Sequence, residues 1–173
     1  MEDAAMPIAS TISDFLIDRN IDYHVFPHDY TESSKESARA AHIEPSRVAK
    51  AVVLATHVGT SRIYRVAVLP ASRDINVDLL SELTRETMEL AKEYELTVLF
   101  PDCAVGAVPA LGSAYGLQTI VDEAIKDHWE DVFFEAGDHE ELIRVSSDQF
   151  RRLMADARCA AFSYSPINTI RKH

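Results

Sequence analysis

Ala51-Val-Val-Leu-Ala-Thr-His-Val-Gly-Thr-Ser-Arg-Ile-Tyr-Arg-Val-Ala-Val-Leu69 is the stretch that sets the fold class. Two apolar, β-branched runs, residues 51–55 and 63–69, flank a loop at 56–62 and read as two strands joined hairpin-fashion. Pro70 ends the second strand, because proline has no N–H to give to a ladder. Three more apolar runs, residues 117–121, 132–135 and 142–145, read as later strands with hairpin-like connections. Short connections favour antiparallel neighbours over the long crossovers of a doubly wound sheet. The predicted class is therefore α/β in the α+β sense: one mixed, mostly antiparallel sheet flanked by helices.

Helical signals lie on either side. Ile12, Phe15 and Leu16 recur at i, i+3, i+4 and predict a helix over about residues 10–19. Residues 23–26 alternate like a short strand that Pro27 closes. Ser33-x-x-Glu36 has capping-box form and opens a helix through Ala41. Val77, Leu79, Leu80 and Leu83 suggest a further helix, and Met88, Leu90 and Ala91 another. Residues 96–100 (Leu-Thr-Val-Leu-Phe) read as a strand, and Ser146-x-x-Gln149 caps a last helix holding Phe150, Leu153 and Met154. The expectation is one domain over residues 1–173, with a core over about 8–155 and a tail over 156–173.

Composition narrows the classes. The length of 173 residues suits one domain with a sizeable core, and 47% apolar with 26% charged residues is ordinary for a globular protein. No apolar run is long enough to span a bilayer, and the acidic N-terminus lacks a signal-peptide pattern, so a cytoplasmic location is expected and no membrane partner. Cys103 and Cys159 make no disulfide framework. The seven histidines show no His-Glu-x-x-His pattern, and the expectation is no metal and no cofactor. The net charge of −11 argues against non-specific nucleic-acid binding. It is uneven: residues 1–73 carry 8 Lys/Arg and 9 Asp/Glu, whereas 122–141 alone carries nine acids and one lysine. Arg39, Arg47, Lys50, Arg62, Arg65 and Arg73 are either a locally basic face or scattered charges.

The segment Phe100-Pro-Asp-Cys-Ala-Val-Gly-Ala-Val-Pro-Ala-Leu-Gly-Ser-Ala-Tyr-Gly116 holds three of the five glycines. Such a loop either only turns or presents bare backbone N–H groups to a ligand. There is no Gly-x-Ser-x-Gly elbow, Walker loop or dinucleotide fingerprint. Lys50, at the mouth of a strand, could present a point charge to a carbonyl or phosphate, or be a solvated strand-end lysine. Cys103 reads as a buried thiol or a nucleophile without a visible base, and His139 as a turn residue or a ligand contact.

Taken in order, Tyr23-His-Val-Phe-Pro-His28, Ser33-Lys-Glu-Ser-Ala-Arg-Ala-Ala41, Val48-Ala-Lys-Ala-Val-Val-Leu54, Val68-Leu-Pro-Ala-Ser-Arg73, Val105-Gly-Ala-Val-Pro-Ala-Leu-Gly112 and Phe134-Glu-Ala-Gly-Asp-His-Glu-Glu-Leu-Ile143 carry a resemblance. The chain resembles the YbaK family of aminoacyl-tRNA deacylase domains, related to the editing insertion of bacterial prolyl-tRNA synthetases. It also resembles the version found fused to HDOD signalling domains. The resemblance runs from about residue 8 to 155 and implies hydrolysis of the ester between a wrong amino acid and the terminal ribose of a tRNA.

It implies that Lys50 is the active-site lysine and that Gly106 opens the family's Gly-x-x-x-Pro loop. The proline of that motif falls on Ala110, with Pro109 one position early. Substrate contacts are then expected from Gly106, Ala107, Val108, Pro109, Ala110, Gly112 and His139. Amides near Gly106 and Ala107 would hold the ester carbonyl, and Lys50 would orient that carbonyl or the terminal phosphate. The expected partner is the acceptor end of aminoacyl-tRNA, with a synthetase as a further candidate. Two other readings stay open. One is a non-catalytic ligand-binding or regulatory module of the same fold, and the other is a partner-binding protein that uses the acidic 122–141 surface.

Overall fold

The computed structural model describes residues 8–125 and 130–166. Helix α1 (Ser10–Asp18) forms where Ile12, Phe15 and Leu16 recur at helical spacing, and all three side chains are buried. Its N-cap residue, Ala9, makes no side-chain cap. Asp102 supplies one across a sequence separation of 91 residues, its carboxylate accepting from the Thr11 N–H at 2.9 Å. Strand β1 (His24–Pro27) precedes α2 (Ser34–Ala40), where the Ser33 hydroxyl accepts from the Glu36 N–H as the capping pattern predicts.

A 3-10 turn at Pro45–Arg47 feeds β2 (Val48–Val58), which turns straight into β3 (Ser61–Pro70). The antiparallel register runs from Ala49 opposite Pro70 to Val58 opposite Ser61. The arms exceed the apolar runs because backbone pairing extends a hairpin beyond the part whose side chains are buried.

Next come β4 (Asp74–Ile75), α3 (Val77–Thr84), β5 (Met88–Leu90) and α4 (Glu93–Leu99). Two expectations are corrected here. Met88, Leu90 and Ala91 form no helix: residues 88–90 pair antiparallel with β2, placing Leu90 opposite Leu54. Chain reversal at Arg85 (φ 57) leaves too few residues before α4 for a helix. Nor is 96–100 a strand. Leu96, Leu99 and Phe100 pack on the core at helical spacing, while Tyr94 and Val98 are exposed. Tertiary contacts fix the start of α4: the Glu95 carboxylate accepts from the Lys92 N–H at 2.7 Å, from the Tyr64 hydroxyl at 2.7 Å and from Arg62. The Arg62 guanidinium, with these hydrogen bonds, holds the Glu95 carboxyl down to about 2.

Strands β6 (Gln118–Asp122), β7 (Asp131–Glu135) and β8 (Glu141–Ser146) match the later apolar runs. Helix α5 (Ser147–Leu153) starts as predicted, with the Ser146 hydroxyl accepting from the Gln149 N–H. Residues read as a tail then add β9 (Arg158–Ala160) to the sheet and pair β10 (Ser163–Tyr164) with β4. Buried Asp122 anchors them, accepting from the N–H groups of Phe162 and Ser163 at 2.9 Å each.

The sheet order is β1-β8-β7-β2-β3-β6-β9, with β5 also on β2. Pairs β1–β8, β7–β8, β2–β3 and β2–β5 are antiparallel, and β2–β7, β3–β6 and β6–β9 are parallel. The mixed sheet with flanking helices is the class the sequence predicts. One face carries Ala49, Val53, Val66, Val68, Phe134, Ile143 and Val145 into the main core, which α1, α5 and the glycine-rich segment cover. Each large side chain buried there contributes about 1.5–3 kcal/mol. The other face packs Leu54, Ala67 and Leu69 with Leu80 and Phe162, and packs Val48, Phe133 and Leu142 with Ala38 of α2.

Charge is distributed differently from its sequence pattern. Asp122 and Glu135 are each only 2% exposed, and Asp131 pairs with Arg47 and Arg144, so 122–141 is not one solvated acidic face. Positions 126–129 of that stretch lie outside the described residues. Five of the six cations named above are also engaged: Arg47 with Asp131, Arg62 with Glu89 and Glu95, Arg65 with Glu86, Arg73 with Ser163, and Lys50 with Asp74. They do not form a free basic face.

Candidate functional site

The glycine-rich segment begins where α4 ends. Phe100 is buried and meets the Tyr115 ring edge-on, with centroids 4.7 Å apart. Asp102 accepts from the Tyr115 hydroxyl at 2.9 Å as well as from α1, so one carboxylate ties the segment to itself and to a helix. The Ala104 N–H then donates to the Gly137 carbonyl at 2.7 Å, stitching the loop to the β7–β8 turn. Residues Ala107, Val108, Pro109, Ala110 and Leu111 are buried. A 3-10 turn at Gly112–Tyr115 returns the chain to β6.

The reversal inside this loop has φ +81 at Gly106, a conformation that glycine adopts without steric cost. The Ala107 N–H closes the turn on the Ala104 carbonyl at 3.0 Å. That donor is therefore spent, contrary to the expectation that it faces a ligand. The N–H groups of Val105, Gly106 and Val108 donate to no acceptor among the described residues. Val105 and Gly106 are both exposed, so their amides are better placed to meet a ligand than that of buried Val108.

His139 closes over this turn. Its Nε2 faces the Val105 carbonyl, and a Cβ added at Gly106 would sit 3.4 Å from its Cε1. His139 itself has φ +66, uncommon for a residue with a side chain. Asp138 shapes that turn by accepting from the N–H groups of Glu140 and Glu141 at 3.0 Å each. The Tyr30 ring lies 5.4 Å from the His139 ring. The structure thus brings Gly106 and His139, 33 positions apart, into one constellation.

Lys50 stands apart from it. Strand alternation turns it away from the face that carries Ala49 and Val53 beneath the loop. Its Nζ lies 3.9 Å from Asp74 Oδ1. Partial burial lowers its pKa, against the attraction of Asp74 and with the repulsion of Lys35. The register Ala49 opposite Phe134 makes β7 its neighbour, and β7 leads directly into the turn that holds His139. Lys50 makes no hydrogen bond or ion pair with Gly106 or His139 among the described residues.

A group that sequence reasoning missed lies between these parts. Glu135, the last residue of β7, is buried and accepts from the Ser37 hydroxyl at 2.8 Å, and Ser37 contacts the Thr31 hydroxyl at 2.6 Å. Burial pushes the Glu135 carboxyl up, against the Ser37 hydrogen bond and the nearby imidazoles of His28 and His139. A glutamate at a strand end reads as solvated in one dimension, and only the packing of α2 against the sheet buries it.

Burial pushes the Cys103 thiol up to about 11, which disfavours the thiolate that a nucleophile needs, and it sits 3.2 Å from the Tyr115 hydroxyl. The apolar cleft of about 340 Å³ lined by Val121, Ile125, Phe150 and Met154 lies between β6 and α5, away from Gly106 and Lys50. A larger cleft of about 560 Å³, lined by His57, Val58, Arg85 and Met88, also includes neither Gly106 nor Lys50, so size does not mark the site.

Residues 28–153 match the model of the aminoacyl-tRNA editing domain. No curated protein matches the chain by sequence. Among solved structures, a proposed trans-editing enzyme for prolyl tRNA synthetase superposes with a TM-score of 0.75 at 19% identity, covering 94% of this chain and 100% of that one. A hypothetical protein superposes with a TM-score of 0.75 at 18% identity, covering 90% and 100%. A proposed signal transduction protein from Marinobacter aquaeolei gives 0.69 at 17%, covering 91% of this chain but 31% of its own. At these identities the structures speak for the fold alone. The family match spans most of the chain and includes Lys50, the Gly106 loop and His139, so this chain belongs to the aminoacyl-tRNA editing domains, deacylases that act on the ester of charged tRNA.

Proposed function

We propose that this chain removes a mismatched amino acid from a tRNA acceptor end at the ledge formed by the Gly106 turn and His139. The observation that carries this reading is the set of unspent amides at Val105, Gly106 and Val108 beside His139, within a family that edits aminoacyl-tRNA. Water adds to the ester carbonyl carbon, and negative charge gathers on its oxygen. The Gly106 N–H donates to that oxygen. The ribose oxygen then leaves with a proton, giving free amino acid and uncharged tRNA. An aminoacyl ester is already activated, so positioning and carbonyl polarisation suffice, and no protein nucleophile is required.

Lys50 acts in this reading as a point charge toward the phosphate of the terminal nucleotide. Val108, Pro109 and Ala110 back the loop, and Ala110 stands where the family's motif has its proline. Pocket size sets amino-acid choice, worth about 1–3 kcal/mol per methylene. The acidic chain grips the acceptor end rather than the tRNA body, and a synthetase is the natural source of the mischarged substrate.

The test is a panel of mischarged tRNAs exposed to wild type and Lys50→Ala. Wild type is expected to deacylate at least one, and Lys50→Ala to be at least about tenfold slower with an unchanged melting temperature. No turnover of any substrate by wild type refutes the reading. Binding of acceptor-end analogues without turnover would instead favour the regulatory module that Ala110 in the proline position suggests.

A further inference from the structure

At one end of the sheet face that α2 covers, a single carboxylate serves two arginines. Asp131 opens β7, and its Oδ2 stands 3.7 Å from Arg47 Nη2 and 4.0 Å from Arg144 Nη1. Both distances are too long for hydrogen bonds. Neither guanidinium donates a hydrogen bond to any other group among the described residues. The cluster therefore has one positive charge in excess and two guanidinium forks with their N–H donors unspent.

Aromatic rings hold both cations in place. Arg47 Cζ lies 5.4 Å from the centroid of the Phe133 ring, and Arg144 Cζ lies 5.3 Å from that of Phe26. The two rings meet edge to face at 5.6 Å. Register places Arg144 between His24 of β1 and Phe133 of β7, so these groups share one face of the sheet. The Arg47 and Arg144 side chains are 37% and 33% exposed, so a ligand can reach them. Their packing on the rings also lowers the entropy that a free side chain would lose on binding.

We propose that Arg47 and Arg144 anchor a backbone phosphate of the tRNA acceptor strand. This inference rests on the editing reading above and extends the contact assigned there to Lys50. Two guanidinium forks match the oxygens of a phosphate. The anchor also continues the Lys50 side of the site. Val48 lies beside Phe133 and Ala49 beside Phe134, so Lys50 shares the face of Val48 and Phe133 and lies toward the Glu135 end of β7. From Asp131 to Glu135 that strand spans about 13 Å. A stacked nucleic-acid strand advances about 3.4 Å per nucleotide, which puts the anchored phosphate about four nucleotides before the terminal one. Local charge agrees: residues 35–50 hold Lys35, Arg39, Arg47 and Lys50 against Glu36 and Glu44, in a chain of net charge −11. Phosphate contacts position a strand without reading its sequence, so the anchor sets how far the acceptor end reaches toward the Gly106 turn.

The probes are a fluorescent RNA hairpin with an acceptor stem and a single-stranded CCA end, and the CCA trinucleotide alone. Anisotropy titration of the full chain across salt concentrations is expected to show the hairpin bound more tightly. Arg47→Gln and Arg144→Gln are each expected to weaken hairpin binding at least about threefold and to flatten its salt slope by about 0.7–0.9, without weakening the trinucleotide. Asp131→Asn removes the competing carboxylate and is expected to tighten hairpin binding about two- to fivefold. It keeps both arginines and both rings, and so covers the case in which an arginine variant fails to fold. Equal binding of the two probes by wild type overturns the proposal, as do unchanged salt slopes in the folded arginine variants, or Asp131→Asn binding the hairpin no more tightly than wild type. On a mischarged tRNA, the arginine variants are expected to raise KM with kcat unchanged. Weakened hairpin binding in these variants, with no ester turnover by wild type, sustains the anchor and refutes the editing reading, whereas turnover with unchanged KM in both variants refutes the anchor alone.

Discussion

Gly112→Ala isolates what the second glycine of the loop does. In the sequence it stands beside Gly106 as a candidate for presenting backbone to a ligand. In the structure its α-carbon faces the sheet. A Cβ built there would lie 2.7 Å from Val66 Cγ2, 2.8 Å from Thr119 Oγ1 and 2.9 Å from Val66 Cβ. Val66 is fully buried in β3, and its Cβ cannot move without its backbone. Rotating the valine therefore relieves one contact and leaves another. Overpacking of a core costs about 1–3 kcal/mol, and overlap with two strands places this site near about 3 kcal/mol. For a domain of this size each kcal/mol lowers the melting temperature by about 2–4 °C, so a fall of about 6–12 °C is expected. Gly116→Ala is the control. Gly116 has φ +72 but nothing within 4 Å of a Cβ, so only the left-handed backbone penalty of about 1–2 kcal/mol applies. Urea and thermal unfolding of both variants measure the difference. If Gly112→Ala lies within about 0.5 kcal/mol of wild type, or is milder than Gly116→Ala, the wedge argument is wrong.

Three further outcomes follow from the geometry. Gly106→Ala must hold φ +81 and push its Cβ toward His139, so stability should fall by only about 1–2 kcal/mol while deacylation falls at least about tenfold; equal turnover at equal folded concentration would contradict the loop's role. Asp122→Ala leaves the buried N–H of Phe162 and the half-buried N–H groups of Ala124 and Ser163 without their acceptor, and urea unfolding should show a loss of about 3 kcal/mol with faster proteolysis after residue 157. Burial, with Asp138 and Glu140 nearby, pushes the Glu141 carboxyl up to about 7. The folded state then holds a proton that the unfolded chain has released, so this contribution to stability is full below about pH 4.5 and is lost as pH rises through about 7. Glu141→Gln should flatten the profile across that window, and an unchanged slope would assign it to other groups.

Lys50 and the Gly106 loop could be picked out of the sequence because residue type and order survive as linear signals. Their relation could not. Lys50 lies on the α2 and α3 side of the sheet and Val108 and Ala110 on the other, a division set by strand alternation and by which helix covers which face. The amide inventory was equally hidden, since only the folded turn reveals that Ala107 spends its N–H on Ala104. Glu135 could not be singled out as a buried group, because burial of a polar side chain depends on neighbours distant in the chain.

Local rules determined much of this protein on their own. Helical spacing placed α1, α3 and α5, hydroxyl caps started α2 and α5, and apolar runs placed β2, β3, β6, β7 and β8, because each signal is complete within a few residues. The order of its motifs also carried the family. Tertiary structure decided the rest. Residues 88–90 became a strand because β2 offered an edge, and 93–99 a helix because Arg62 and Tyr64 hold Glu95 at its start. The site is likewise tertiary: Gly106 and His139 meet only where the turn after β7 folds against the glycine-rich loop, and only the packing of α2 against the sheet buries Glu135 at the end of that strand.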